Sequence, residues 1–209
     1  MLSFARPEKP LSESRVALVT TGGVHLPEQP RFDIDDPVGD CSYREIPNHA
    51  DRLTWTHAYH RPGEGSDLDA VFPLWTLRSL ADEGEIGDLN HRHFSFMGAI
   101  HDHGPLIEHT APEVAGKLVE DGVDAALLTL SCPLCHRVAG PISEAVEERG
   151  IPTVTIAMES GVEATRVLRV PFPYNEPAGR PGNAWEHRRV VLAALRLIWD
   201  LDRPAEMTL

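Results

Sequence analysis

Basic residues are in short supply: 19 Lys and Arg stand against 32 Asp and Glu, a formal net charge of -13. A phosphate-lined partner would be repelled rather than steered in, so neither nucleic acid nor an anionic membrane is an expected partner. Long apolar runs are missing as well. None approaches the ~20 residues a membrane span needs, and the opening MLSFARPEKPLSESR has no basic region followed by an apolar stretch. A cytoplasmic protein is the expectation. Cysteine is scarce too: Cys41, Cys132 and Cys135 are an odd number without an export signal, which argues against a disulfide framework. Reduced thiols, metal ligands or a working dithiol remain. Neither G-x-x-x-x-G-K-[ST] nor G-x-G-x-x-G occurs, and MESGVEA is not the nucleophile elbow G-x-S-x-G.

What is present suits a packed soluble protein. With 42% apolar and 24% charged residues among 209, the chain is long enough for one sizeable core. A single domain over 1–209 is expected, with a polar, loose or draped segment at 1–14 and an amphipathic helix at 184–199. Short apolar runs at Val16 to Thr20, VDAALLTLS, TVTIAM and RVLRVPF read as strands, with YREIP and LTWTHAYH as shorter candidates. Helical spacing marks Leu74, Leu77 and Leu80, stopped by Gly84, and APEVAGKLVEDG, stopped by Gly122. The segment DLNHRHFSFMGAIHDHGPLIEHT, rich in histidine, reads as a loop. Strands alternating with helices predict an α/β three-layer fold, a mostly parallel sheet covered by helices on both faces.

In such sheets ligands sit beyond the carboxyl ends of strands, where strand order reverses. Thr20-Thr21-Gly22-Gly23 and Ser131-Cys132 both fall at strand ends, so two distant loops are expected to face one crevice. In LLTLSCPLCHR the C-x-x-C spacing brings two sulfurs together, and a helix starting at Pro133 would lower a thiol pKa through its dipole. Cys132 is then the exposed attacking thiol, Cys135 the resolving one and His136 a candidate base. Pro141 opposes so early a start, because its ring would clash with the carbonyl of Arg137; the regular helix is expected only near Pro141. The glycines of TTGGVHL suggest an anion nest. The candidate substrate contacts are Thr20, Thr21, Gly22, Gly23 and His25, with Ser95 and Met97 from HFSFMG, and Ser131. A zinc or other divalent ion is an alternative, held by Cys132, Cys135, His101 and His103. No cofactor is otherwise called for.

Taken together, VALVTTGGVHL, QPRFD, GDCSYREIP, HFSFMG, LLTLSCPLCHRVAGPISEAVEERGIPTV and VPFPYNEPAGRPGN resemble, in order, the selenoprotein B family of glycine, sarcosine, betaine and D-proline reductases. The resemblance runs from about Val16 to Asn183. In that family a selenocysteine, or a cysteine in selenium-free members, occupies the position of Cys132, with Cys135 as its partner. The resemblance implies reductive cleavage of a C–N bond in a small amino-acid-like substrate, with partner subunits or a thiol reductant. Those reductases also draw on a pyruvoyl-type carbonyl made by cleavage of a separate proprotein, and nothing in this chain supplies one. Cysteine in place of selenocysteine implies slower attack, and Val138 stands where some members carry a further cysteine.

Three readings of function follow. The chain is a thiol-dependent reductase of the glycine and D-proline reductase type, a metalloenzyme with a divalent ion at the cysteines and loop histidines, or a non-catalytic substrate-binding subunit of a reductase complex. The apolar face of the last helix also offers a surface for a homo-oligomer.

Overall fold

The computed structural model describes residues 2–58 and 66–209. The chain passes through β1 (Arg15–Thr20), β2 (Val24–His25), β3 (Tyr43–Pro47), β4 (Thr54–Trp55), α1 (Leu68–Val71) and α2 (Leu74–Asp82). It continues through β5 (Asp88–Leu89), β6 (Arg92–Phe96), a π turn at Leu106–Thr110, α3 (Ala111–Glu120) and β7 (Ala125–Thr129). Then come α4 (Pro133–Glu147), β8 (Thr153–Ala157), β9 (Arg166–Arg169), α5 (Ala184–Asp200) and β10 (Ala205–Thr208).

Successive side chains on a strand point to opposite faces, and this alternation builds the two cores. Val16, Leu18, Leu127, Val154 and Ile156 pack with Leu74, Leu77 and Leu80 of α2 and with Val190, Ala194 and Ile198 of α5. Ala17, Val19, Ala126 and Leu128 turn the other way, against Val114 and Leu118 of α3 and Val138, Ile142 and Val146 of α4. The result is the expected three-layer α/β arrangement. The 8-stranded sheet runs β10-β9-β8-β7-β1-β6-β3, with β5 also on β1, and all pairings are parallel except β3 with β6. From β1 the chain moves outward to β6, then crosses back to β7 on the other side. The order reverses between β1 and β7, which puts the carboxyl ends of those two strands at a switch point.

Three expectations are corrected and one strand is added. The histidine-rich segment is not a loop throughout: β5 and β6 lie within it, because Phe94 and Phe96 alternate with His93 and Ser95 in a strand buried from His93 onward. β10 closes the far edge of the sheet in a stretch with no strand signal, pairing Ala205 to Thr208 with Arg166 to Arg169. The LTWTHAYH candidate is a strand only at Thr54–Trp55, paired with β2; its Tyr59 and His60 lie outside the described residues. Finally, α4 begins at Pro133 and carries Pro141 inside it. An internal proline costs about 3 kcal/mol, but Val138 and Ala139 before it and Ile142 and Val146 after it are all buried, so packing on both sides holds the helix together.

Candidate active site

At the end of β7 the chain leaves the sheet through Leu130 and Ser131, and Cys132 becomes the N-cap of α4. Its backbone is extended (φ -144°, ψ 172°) and its Sγ accepts a hydrogen bond from the amide of Cys135 at 3.3 Å. Pro133 suits the first helical position, where its missing N–H leaves no bond unmade. The C-x-x-C spacing across one turn sets the two sulfurs 3.0 Å apart. Both cysteines are reduced and both are buried, Cys132 1% and Cys135 0% exposed. The expectation of an exposed Cys132 is therefore corrected: neighbouring loops close over the strand end.

The first of those loops is Thr20 to Gly23, and it is not an anion nest. The Thr21 amide donates to the Thr129 carbonyl (3.0 Å), the Gly22 amide to Thr20 Oγ1 (3.1 Å) and the Gly23 amide to the Phe96 carbonyl (2.9 Å), so the loop has no amide left for a ligand. The glycines serve close packing instead. A Cβ on Gly22 would lie 2.8 Å from Ser131 Oγ. Gly23 has φ +68°, and a Cβ there would lie 2.1 Å from the Thr56 carbonyl. That approach lets the Thr56 amide donate to the Gly23 carbonyl at 2.8 Å, which carries the next residue, His57, into the site. His57 Nε2 stands 3.5 Å from Cys135 Sγ. Behind the same sulfur lies the backbone of Gly98, where an added Cβ would come within 2.1 Å of Cys135 Sγ. The Thr21 carbonyl lies 3.5 Å from the same sulfur.

These contacts separate the two thiols. Cys132 is pulled down to about 5, first by the hydrogen bond from the Cys135 thiol, then by His57 and by the Cys135 amide, all against the opposing effect of burial. Cys135 is pushed up, by burial first and by the neighbouring Cys132 second. The arrangement favours the thiolate on Cys132 and the proton on Cys135. The helix dipole of α4 acts in the same direction.

The other sequence-derived candidates divide. Thr20 and Ser131 lie in the walls of the site; Thr20 Oγ1 donates to the Thr129 carbonyl (3.2 Å) and accepts from Thr129 Oγ1 (2.9 Å). Ser95 and Ser131 are buried with hydroxyls that have no hydrogen-bond partner, and Met97 packs with Phe32 and Ala99. His25 is turned elsewhere, its Nδ1 2.8 Å from the Leu26 carbonyl and its Nε2 2.9 Å from Thr56 Oγ1. His136 does not face the sulfurs: its Nδ1 is 2.7 Å from the Cys132 carbonyl, and its Nε2 accepts from the amides of Met158 (3.1 Å) and Glu159 (3.2 Å). It is a clamp between α4 and the loop after β8, and the place beside the sulfurs belongs to His57.

The metal set expected from sequence is likewise not assembled. His101 is exposed, and His103 Nε2 lies 3.2 Å from the Ile100 carbonyl. Among the described residues, the donors within 4.8 Å of one another are those of His57, Cys132 and Cys135. Two thiolates each ~2.3 Å from one tetrahedral zinc stand ~3.8 Å apart, whereas these sulfurs are at 3.0 Å.

A groove of about 740 Å³ runs beside the first turns of α4, lined by Pro133, Leu134, His136 and Arg137 and by Glu159 and Glu163 across from them, but neither sulfur lines it. The FPYNEPAGRPGN stretch reaches the same end of the sheet. Asn175, at φ +69°, donates its amide to the Ser131 carbonyl at 2.9 Å, and the Tyr174 ring meets His136 edge-on at 6.3 Å.

Comparison with known proteins adds an independent line. The family described as glycine/sarcosine/betaine reductase selenoprotein B matches residues 2–131, ending one residue before Cys132. The chain is 35% identical over 202 residues to the D-proline reductase subunit gamma of Acetoanaerobium sticklandii, covering 92% of this chain and 81% of that one. It is 30% identical over 186 residues to the glycine reductase complex component B subunit gamma of Peptoclostridium acidaminophilum, covering 81% and 41%. With the sarcosine reductase complex component B subunit beta of the same organism it is 29% identical over 211 residues, covering 91% and 46%. The chain thus spans most of the first relative and under half of the other two. No solved structure matches it. No helix among the described residues is long and apolar enough to cross a membrane.

Proposed function

The chain belongs to the glycine/sarcosine/betaine reductase selenoprotein B family, and from that premise we propose that it is the thiol-bearing subunit of an amino-acid reductase complex, with Cys132 as nucleophile and Cys135 as resolving thiol. The observation that carries this reading is the pair itself: a Cys132 sulfur at the N-cap of α4, held by the amide of Cys135 at 3.3 Å and by its sulfur at 3.0 Å.

The chemistry fits the pair. The Cys132 thiolate is a soft, ionised nucleophile suited to saturated carbon. It attacks the carbon bearing nitrogen, the C–N bond breaks toward nitrogen, and the amine leaves with an added proton. Cys135 then attacks Cys132 Sγ, forming the disulfide while the S–C bond breaks toward carbon, which takes up a second proton. The substrate gains two electrons and two protons; the two sulfurs supply both electrons, Cys135 supplies one proton and a general acid the other, and an external thiol reductant restores the pair. Release of an electron pair on carbon favours a carbon next to a carboxyl or carbonyl group, so a small amino acid or an N-alkylated relative is the substrate class. A cytoplasmic setting, where thiols stay reduced, accords with this.

The test is turnover of proline, glycine, sarcosine and betaine by the complex containing this chain, with Cys132→Ser and Cys135→Ser beside the parent. Loss of turnover in Cys132→Ser, with a substrate adduct accumulating on Cys132 in Cys135→Ser, is the expected result. Turnover unchanged in Cys132→Ser would end the reading. The alternative of a divalent ion on His57, Cys132 and Cys135 requires the sulfurs to move apart. About one ion per purified chain, with both cysteines protected from alkylation, would favour it.

A further inference from the structure

In a dithiol that cycles between thiol and disulfide, the resolving sulfur must lose its proton, and here that sulfur is sealed. Cys135 is 0% exposed, so bulk water does not touch it. Among the described residues its polar surroundings are Cys132 Sγ at 3.0 Å, the Thr21 carbonyl at 3.5 Å, His57 Nε2 at 3.5 Å and the backbone of Ser131. A carbonyl oxygen is no base at neutral pH. Cys132 is no base once it carries the substrate fragment as a thioether. His136, the histidine adjacent in sequence, has both ring nitrogens engaged by backbone groups. Tyr174 bonds Glu159 through its hydroxyl. Among the described residues in contact with Cys135, an imidazole is what remains.

We propose that His57 is the proton carrier of the dithiol site, a catalytic residue that gives a proton to the departing amine and then takes the proton of Cys135. The inference rests on the dithiol reading above. The sequence balances: protonated His57 and the Cys132 thiolate meet the substrate; the S–C bond forms, the C–N bond breaks, and the His57 proton goes to nitrogen. Neutral His57 then takes the Cys135 proton. The Cys135 thiolate forms the disulfide with Cys132, the S–C bond breaks, and the same proton passes from His57 to carbon. Both protons delivered to the substrate pass through one ring, while both electrons come from the two sulfurs. The position follows from the fold: Gly23 at φ +68° admits the Thr56 carbonyl just beyond β4, and the His57 side chain projects next to the pair, within 4.8 Å of both sulfurs.

The test needs no substrate. In a Cys41→Ser background, so that every equivalent arises from the pair, dipyridyl disulfide reacts in two phases: Cys132 forms a mixed disulfide, then Cys135 displaces the second pyridinethione. General acid–base groups contribute about a hundredfold or more. The second phase is therefore expected to slow by about 100-fold in His57→Gln and in His57→Gly at neutral pH, with the first phase changed only a few-fold. Added imidazole should restore the second phase in His57→Gly. A second phase as fast as the parent's in both variants, or one that imidazole fails to restore, overturns the role of His57. If Cys132→Ser in the same background still releases one equivalent at the rate of the parent's first phase, the nucleophile assignment fails instead.

Discussion

The two ends of α4 carry buried polar clusters of opposite character. At its carboxyl end, Glu147 is closed in by donors. Its Oε1 accepts from the Thr153 amide (2.7 Å), Thr153 Oγ1 (2.9 Å), Thr165 Oγ1 (2.6 Å) and Arg166 Nη1 (3.0 Å), while Oε2 accepts from the Ala5 amide (2.6 Å). Arg166 is fully buried with its guanidinium carbon 3.9 Å from the centre of the Phe4 ring, and it donates to the Ala5 carbonyl at 2.7 Å. At the amino end, the Cys132 sulfur is held by fewer and softer groups, a thiol, an imidazole and one amide. The hydroxyl of Ser131, the residue before it, has no hydrogen-bond partner. A charge whose partners are strong and numerous is fixed, and there it ties the amino-terminal segment to the sheet. A charge held by groups that themselves exchange protons is available for reaction.

The largest effect expected is on reactivity at the amino end. Cys132→Ser should reduce turnover to background and remove the alkylation of the chain by iodoacetamide at mildly acid pH, checked by peptide mass mapping. At the carboxyl end the effect should be on stability alone. Removing one partner of a buried ion pair costs about 3–5 kcal/mol, so Glu147→Ala should lower the unfolding free energy from denaturant titration by that amount while Cys132 alkylation in the folded protein keeps its pH dependence. Gly98→Ala joins the two ends of the comparison: overpacking costs about 1–3 kcal/mol, and the new methyl should push Cys135 from Cys132, which a slower disulfide closure would report. The smallest effect is expected at the loop histidines. His101→Ala should leave stability within about 0.5 kcal/mol of the parent and alkylation unchanged.

Much of the frame was legible because it depends on local patterns. The apolar run at Val16 to Thr20, the AALLT strand and the Gly84 and Gly122 stops all follow from spacing within one segment, and the pairing of β1 with β7 places the two expected loops together. His57 was not legible. Its place is set by contact between Gly23 and Thr56, distant in sequence, and by a backbone approach that only a glycine admits. The double glycine of TTGG was the available signal, read as room for an anion when it was room for another strand. The glycine of HFSFMG was a second one: Gly98 leaves space for the Cys135 sulfur. His136 drew attention by sequence adjacency, but a residue one position along a helix points some 100° away from its neighbour, and its ring serves the Met158 loop.

The central claim is a Cys132 thiolate at neutral pH, and the direct measurement is the rate of iodoacetamide alkylation at Cys132 against pH in the Cys41→Ser background. Because the thiolate is the reacting form, a folded-state pKa pulled down to about 5 predicts a rate that falls only as the pH drops through that value and is on its plateau at neutral pH. A rate that keeps rising through neutral pH to a midpoint near the ordinary thiol value of about 8.5 would mean that the site holds two plain thiols, and would contradict the account.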